Sequence, residues 1–315
     1  MPNLALALLG RVKSQGNHAA MQSWSIPRIE IIATCIFGVK TMETFINWLL
    51  ESSEDFQLTL FFGLLFVLMI SEQFFHFRSP LRKKRWVANF SLTAISIFTM
   101  MLIPVSFISS AKYAGEKSIG LFNAIHLDVI AVGLLTLLLR GFISFFTHFL
   151  MHKIPFLWNI HRVHHLDTEM DVSTNVRFHP FEFIINSIIG IPIILLFGFP
   201  VWALMLYELL DVVITQVSHA NISFPKKIEK VVRYIVVTPD LHRVHHSSHQ
   251  PETDTNFSAV FPIWDLLFRT FKTKTRVPQK EMEIGLEEVR DERVNSIIWL
   301  LISPFKKFKS RNSEN

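Results

Sequence analysis

Eleven of the chain's 14 histidines fall between residues 148 and 249, and most stand in three short motifs. His148 and His152 form HxxxH. His161, His164 and His165 form HRVHH, and His242, His245 and His246 repeat the same pentapeptide. His179 (in RFHPFE) and His219 (in VSHAN) lie between the two copies, and His249 trails the second. On an α-helix, residues i, i+3 and i+4 share an arc of about 100°, so each motif can aim its imidazoles at one centre. Neutral imidazole is a good ligand for zinc, copper, iron and nickel. Four ligands complete a structural zinc. Eight motif histidines, or ten with His179 and His219, exceed the needs of one ion and indicate two metals. A lone HxxxH reads more simply as a helix surface or a hydrogen-bonded core pair. HxxHH, however, is expected only about 0.03 times by chance at this composition and occurs twice. His18, His76 and His126 lie outside the cluster and receive no role.

The elements that must hold these residues are apolar. The 315 residues are 50% hydrophobic and only 18% charged, against about 25% charge in an ordinary soluble domain. That composition excludes intrinsic disorder. With 31 basic and 26 acidic residues the balance does not indicate nucleic-acid binding, and the single Cys35 excludes a disulfide framework. No secretory signal peptide is read, because the first basic residues follow the apolar run 4–9 instead of preceding it. Four stretches approach the ~20 apolar residues of a transmembrane helix: 26–50, interrupted by Arg28, Glu30, Lys40 and Glu43; 56–71; 86–108, with no charge; and 121–149. Segments 181–197 and 201–217, separated by Gly198, Phe199 and Pro200, read as a helical hairpin that either spans or dips in and returns. Segment 297–305, with Lys306, Lys307, Lys309 and Arg311 behind it, reads as an interfacial helix on anionic lipid.

Charge asymmetry sets the orientation. Arg78, Arg82, Lys83, Lys84 and Arg85 follow the second span, whereas the loop before it holds Glu51, Glu54 and Asp55 and no basic residue. The positive-inside rule places the basic loop in the cytoplasm, and Arg11, Lys13 and Arg28 agree. The polar blocks 150–180 and 218–296, which carry the histidines, then meet on the cytoplasmic face.

The order HxxxH, HxxHH, HP, a lone His shortly before Asn, and HxxHH resembles the fatty acid hydroxylase/sterol desaturase superfamily of membrane di-iron enzymes. The resemblance covers about 121–272 and includes MDVSTNVRFHPFE (170–182), TPDLHRVHHS (238–247) and DTNFSAVFPIWDLLFRTF (254–271). The family's alkylglycerol monooxygenases and bacterial members carry similar motifs. The resemblance implies His148, His152, His161, His164, His165, His219, His242, His245 and His246 as iron ligands, with His179 a tenth candidate. Many members have Asp seven residues before the first motif histidine and Arg just after it; this chain has Gly141, beside Arg140, and Phe149. Ligating histidines usually donate their second N–H to a carboxylate or carbonyl. Asp167, Asp171, Glu182, Asp240, Asp254 and Asp265 are the nearby acids, and Asp254 and Asp265 match the family ending. Arg162 and Arg243 fill the same slot in the twin motifs, where acids or lipid phosphate are candidate partners.

The expected fold is therefore an all-α integral membrane protein. Four transmembrane helices and a helical hairpin would carry a cytoplasmic helical cap around a histidine-rich dimetal site. The organisation is an N-terminal membrane region 1–120, a catalytic region 121–272 and a tail 273–315. The resemblance implies an oxygen-dependent hydroxylase or monooxygenase acting on a membrane lipid, fatty acyl, alkyl-glycerol or sterol-like, with two iron ions. No haem, flavin, nicotinamide or iron–sulfur motif is present in the sequence, so electrons would come from an external protein donor or a reduced pterin. Desaturation on the same site, a metal transporter and a di-zinc hydrolase are the competing readings.

Overall fold

The computed structural model describes residues 39–79, 83–103 and 105–308. His18, Cys35, the basic residues Arg11, Lys13, Arg28, Arg82, Lys309 and Arg311, and most of segment 26–50 lie outside them. The described residues are helical, with no strand among them, as the apolar periodicity and histidine spacing predict. In chain order the longer helices are α1 (Val39–Glu51), α2 (Ser53–Phe74), α3 (Lys83–Met101), α4 (Phe107–Glu116) and, after the short α5 (Leu121–Ala124), α6 (Val129–Lys153). They continue as α7 (Pro155–His165), α8 (Pro180–Phe197) and α9 (Val201–His219). Short helices complete the fold: α10 (Lys226–Val232), α11 (Pro239–His245), α12 (Gln250–Thr253), α13 (Ile263–Leu267) and α14 (Ile297–Ile302).

Among the described residues, four helices are long and apolar enough to cross a membrane: Asp55–Phe74, Val129–Lys153, Pro180–Phe197 and Val201–His219. Two of them correspond to the expected spans 56–71 and 121–149, and two to the arms of the hairpin. The described part of the first expected span is α1, whose 13 residues reach only about 20 Å at 1.5 Å per residue. Segment 86–108 is not one helix. Its first part belongs to α3, which opens on three basic residues and ends at Met101. Ile103 precedes Pro104 in the sequence, a position that disfavours helix, and Ser106 then caps a new helix in a reciprocal box with Ser109. Segment 121–149 is likewise interrupted, because Asp128 caps α6 by accepting from the N–H groups of Ile130 and Ala131 at 2.9 and 3.0 Å.

The hairpin turn is fixed by close backbone approach. Gly198 has φ +65°, and a Cβ there would lie 2.4 Å from the Ile119 carbonyl oxygen, so only glycine fits. Phe107, Ile143, Ile194, Phe199 and Leu204 form the buried core where α4, α6, α8 and α9 meet. The tail segment 297–305 has two faces, and Ile298, Ile302 and Phe305 keep apolar side chains on the surface. Trp299 and Leu300 turn inward onto Ala88, Leu92, Val163 and Leu166, which removes apolar surface from water against α3 and α7. This tail braces the histidine-bearing α7 from behind.

Candidate metal centre

Four helices deliver the histidines. His148 and His152 lie one turn apart near the end of α6; His161, His164 and His165 close α7; His219 ends α9; His242 and His245 lie on α11, with His246 just past it. Local sequence fixes these ends. Pro155 opens α7 with a φ already suited to a helix. Pro239 does the same for α11, where the Thr238 hydroxyl accepts from the Leu241 N–H. The tertiary fold sorts nine histidines into two groups. His148, His152, His161, His165 and His245 form one; His164, His219, His242 and His246 form the other. Within each group the candidate ligand atoms all lie within 4.8 Å of one another. The motifs are interleaved: each HxxHH sends histidines to both groups.

The hydrogen bonds of the far nitrogens set the tautomers. Nδ1–H of His148 donates to the Phe257 carbonyl at 2.7 Å, that of His245 to Thr255 at 2.8 Å, that of His164 to Arg177 at 3.2 Å and that of His219 to Thr215 at 2.7 Å. A carbonyl oxygen only accepts, so each of these rings carries its proton on Nδ1 and presents a bare lone pair at Nε2. His161 Nδ1 meets Glu182 Oε2 at 2.8 Å, and His152 Nδ1 meets Asp254 Oδ1 at 3.3 Å. The Nε2 atoms converge. His148 and His161 are 3.0 Å apart, His164 and His246 3.1 Å, and His219 and His242 2.9 Å. His164 Nε2 and His219 Nε2 stand 3.2 Å apart, both as lone pairs. That contact is repulsive unless a cation lies between them. Metal–nitrogen bonds of about 2.0–2.1 Å separate neighbouring ligands by about 3.0–3.4 Å in octahedral or tetrahedral geometry, so the donor set fits a metal ion in each group.

Burial supports the same chemistry. It pulls the His161 imidazolium pKa down to about 3. Burial first, and neighbouring histidines second, hold His164, His165, His242, His245 and His246 well below the ordinary histidine value. These rings stay neutral, the form that ligates.

The structure does not bring His179 into either group. Its Nδ1 accepts from the Phe181 N–H at 3.2 Å and its Nε2 faces the Leu301 carbonyl at 3.2 Å. It is the N-cap of α8, in a box with Glu182, and so helps place the acid that meets His161. His249 precedes α12 and lies outside both groups.

The nearby acids divide by role. Glu182 and Asp254 meet histidines. Asp265 instead accepts from the N–H groups of Phe257 and Ser258 at 2.8 and 2.9 Å, shaping the loop whose Phe257 carbonyl holds His148. Asp167 and Asp171 bind Arg85, and Asp240 binds Arg243 and Ser223. The twin arginines turn away from the centre. Arg162 donates to the Ser303 and Lys306 carbonyls. Arg243 donates to the Ile222 carbonyl and packs its guanidinium over the Phe77 ring. Both clamp neighbouring segments onto the histidine helices. Arg140, beside Gly141, takes its carboxylate from another helix: its Nε donates to Glu208 Oε1 at 2.9 Å, fully inside the bundle. Phe149 packs against Phe257. Sequence reasoning did not find the carbonyls of Thr215, Thr255, Phe257 and Arg177, because a backbone acceptor leaves no mark on residue type.

Residues 133–270 match the family described as fatty acid hydroxylase. Among curated proteins the chain is 30% identical over 151 residues to ornithine lipid hydroxylase OlsE of Rhizobium tropici, covering 48% of this chain and 44% of that one. It is 28% identical over 128 residues to alkylglycerol monooxygenase of Homo sapiens (40% and 27%) and 24% identical over 140 residues to that of Caenorhabditis elegans (44% and 26%). The matched stretches span less than half the length of each of these relatives. No solved structure matches at a comparable level.

Proposed function

We propose that the chain, whose histidine-bearing residues 133–270 match the fatty acid hydroxylase family, is an oxygen-dependent, di-iron lipid hydroxylase or monooxygenase of the membrane. The observation that carries the metal assignment is the pair of converging lone pairs on His164 and His219, each fixed by a carbonyl behind it. His148, His152, His161, His165 and His245 would hold one ion, and His164, His219, His242 and His246 the other. Imidazole tolerates both ferrous and ferric iron, and bound iron would supply the dioxygen chemistry that an unactivated C–H bond requires. The chain's own residues orient and exclude. The carbonyls behind His148, His245, His164 and His219 lock ring orientation, and Phe257 packs on His148, backed by Phe145 and Phe149, an apolar wall that keeps water out. Electrons come from an external donor, a protein or a reduced pterin. The named relatives act on lipids by hydroxylation or monooxygenation, which supports a lipid substrate here.

The site belongs on the cytoplasmic face. The basic loop after α2 is bonded to the residues just past His219: Phe77 N–H donates to the Asn221 carbonyl at 2.7 Å, and Arg78 N–H to Asn221 Oδ1 at 3.0 Å. Loop and histidines therefore share one end of the bundle, and the positive-inside rule then sets its side. The histidines sit at helix ends, away from the midplane position typical of a transporter site.

Purified protein should carry two irons per chain and consume oxygen with its lipid. Lipidomics of cells with and without the gene should show a lipid gaining one oxygen; loss of two hydrogens would identify desaturation instead. Turnover under strict anaerobiosis with zinc in the site would overturn the oxygenase reading in favour of a hydrolase.

A further inference from the structure

Exposed apolar side chains are unremarkable on the spans, where lipid covers them. Several lie outside the spans, and one group of these has basic neighbours on a short helix. Ile228, Val231, Tyr234 and Ile235, on α10 and the turn after it, recur at intervals of three and four, and each is more than half exposed. Lys226, Lys227 and Lys230 flank them and are exposed as well. The opposite side of the same helix is anchored. Glu229 is buried and accepts from the Thr238 hydroxyl at 2.7 Å, and Thr238 caps α11, the carrier of His242 and His245.

This face is continuous with lipid-facing surface. Tyr234 stacks on Phe271 with ring centroids 5.3 Å apart. Just before Phe271, Leu266, Leu267 and Phe268 are exposed at the end of α13. Phe268 in turn stacks on the partly exposed Phe142, in the membrane-crossing α6, at 6.2 Å. An apolar surface thus runs from a span, across α13, to a short helix bordered by lysines.

From this we infer that α10 and the turn to Ile235 dock in the headgroup layer of an anionic bilayer, apolar face towards the acyl chains and lysines towards lipid phosphate. An amphipathic helix with basic flanks lies in the interface plane with its apolar side a few ångströms deep; juxtamembrane lysines add attraction to anionic headgroups, and tyrosine favours that level. A contiguous exposed apolar patch facing water would invite association. The sequence marks 297–305 for the interface, and Ile298 and Phe305 are exposed there; 226–235 adds a second apolar surface outside the spans. Through Glu229 and Thr238, the docked helix fixes the height of the second HxxHH above the membrane, which brings the metal centre to lipid.

The test uses the full chain with Cys35→Ser, reconstituted in vesicles of phosphatidylcholine alone or with roughly a quarter phosphatidylglycerol. Single spin labels at Ile228→Cys, Val231→Cys and Ile235→Cys are compared with one at Glu283→Cys, an exposed charged side chain in the loop whose backbone bonds Ser248. The first three should collide severalfold more with dissolved oxygen than with a water-soluble nickel chelate, and the Glu283 label should show the reverse. Labels at all four positions behaving alike and water-like would overturn the inference and leave the face free for a protein partner. The triple change K226E/K227E/K230E should make the Val231 label shallower in the phosphatidylglycerol vesicles and leave it unchanged in phosphatidylcholine. Unchanged depth in both would overturn the anionic-headgroup part. None of these side chains touches a histidine, so the outcome is independent of whether the bound metal is iron.

Discussion

Glu182 Oε2 lies 2.8 Å from His161 Nδ1, with both side chains buried. A carboxylate behind an imidazole raises its basicity and fixes its ring plane, and such partners typically contribute 10–100-fold to metal affinity. Glu182→Gln keeps an acceptor but removes the charge. We expect metal affinity of the five-histidine group to fall by about 10–100-fold, read as loss of up to one iron per chain by elemental analysis under chelator challenge. Unchanged iron retention would show that Glu182 serves only the cap of α8.

Because the two groups share no histidine, they should be separable. His219→Ala removes a ligand only from the four-histidine group, and His148→Ala only from the five-histidine group. Each variant should retain close to half the wild-type metal and lose essentially all oxygen-dependent turnover. Complete metal loss in either would mean that the ions bind cooperatively.

Acid should weaken the α3–α7 junction. Burial pushes the Asp167 carboxyl up, but Arg85 and Arg177 more than offset it and leave its pKa below the ordinary aspartate value. A folded pKa below the unfolded one gives stability that is complete above the unfolded value, about 3.9, and is lost as pH falls through the folded value. Asp167→Asn should be less stable than wild type at neutral pH and should lose less on going from about pH 5 to about pH 3. Thermal melts at the two pH values read the difference.

Inside the bundle, Arg140 and Glu208 form a pair that neither can leave unpaired. Removing one partner of a buried pair typically costs about 3–5 kcal/mol, whereas replacing both with apolar residues is often neutral. Arg140→Met and Glu208→Leu should each lower the melting temperature strongly, and the double variant should recover most of it. A double variant as unstable as the singles would show that the pair is needed for more than mutual neutralisation.

Much of this site was legible in the sequence because its information is in side-chain type and spacing. HxxxH and HxxHH name their own ligands, and helical geometry puts them on one arc whatever the fold does elsewhere. Apolar runs likewise mark α2, α6, α8 and α9, since a bilayer demands length and hydrophobicity before anything else. The breaks within 86–108 and 121–149 were less visible, because Ser106 and Asp128 end a run only if the chain turns there to pack.

What the tertiary structure decided concerns pairs distant in sequence. It divided nine histidines five and four, splitting each HxxHH between the groups, because α6, α7, α9 and α11 meet at angles that no single motif specifies. It gave His179 to the cap of α8, matched Arg140 with Glu208 across two helices, and set Asp254 but not Asp265 on a ligand. It turned Trp299 and Leu300 of the tail inward and left the apolar side of 226–235 facing out. The sequence by itself determined which side chains have the chemistry for a metal centre in a membrane; the packing of helices determined which nitrogens face each other, because lone-pair direction depends on backbone partners that residue identity does not encode.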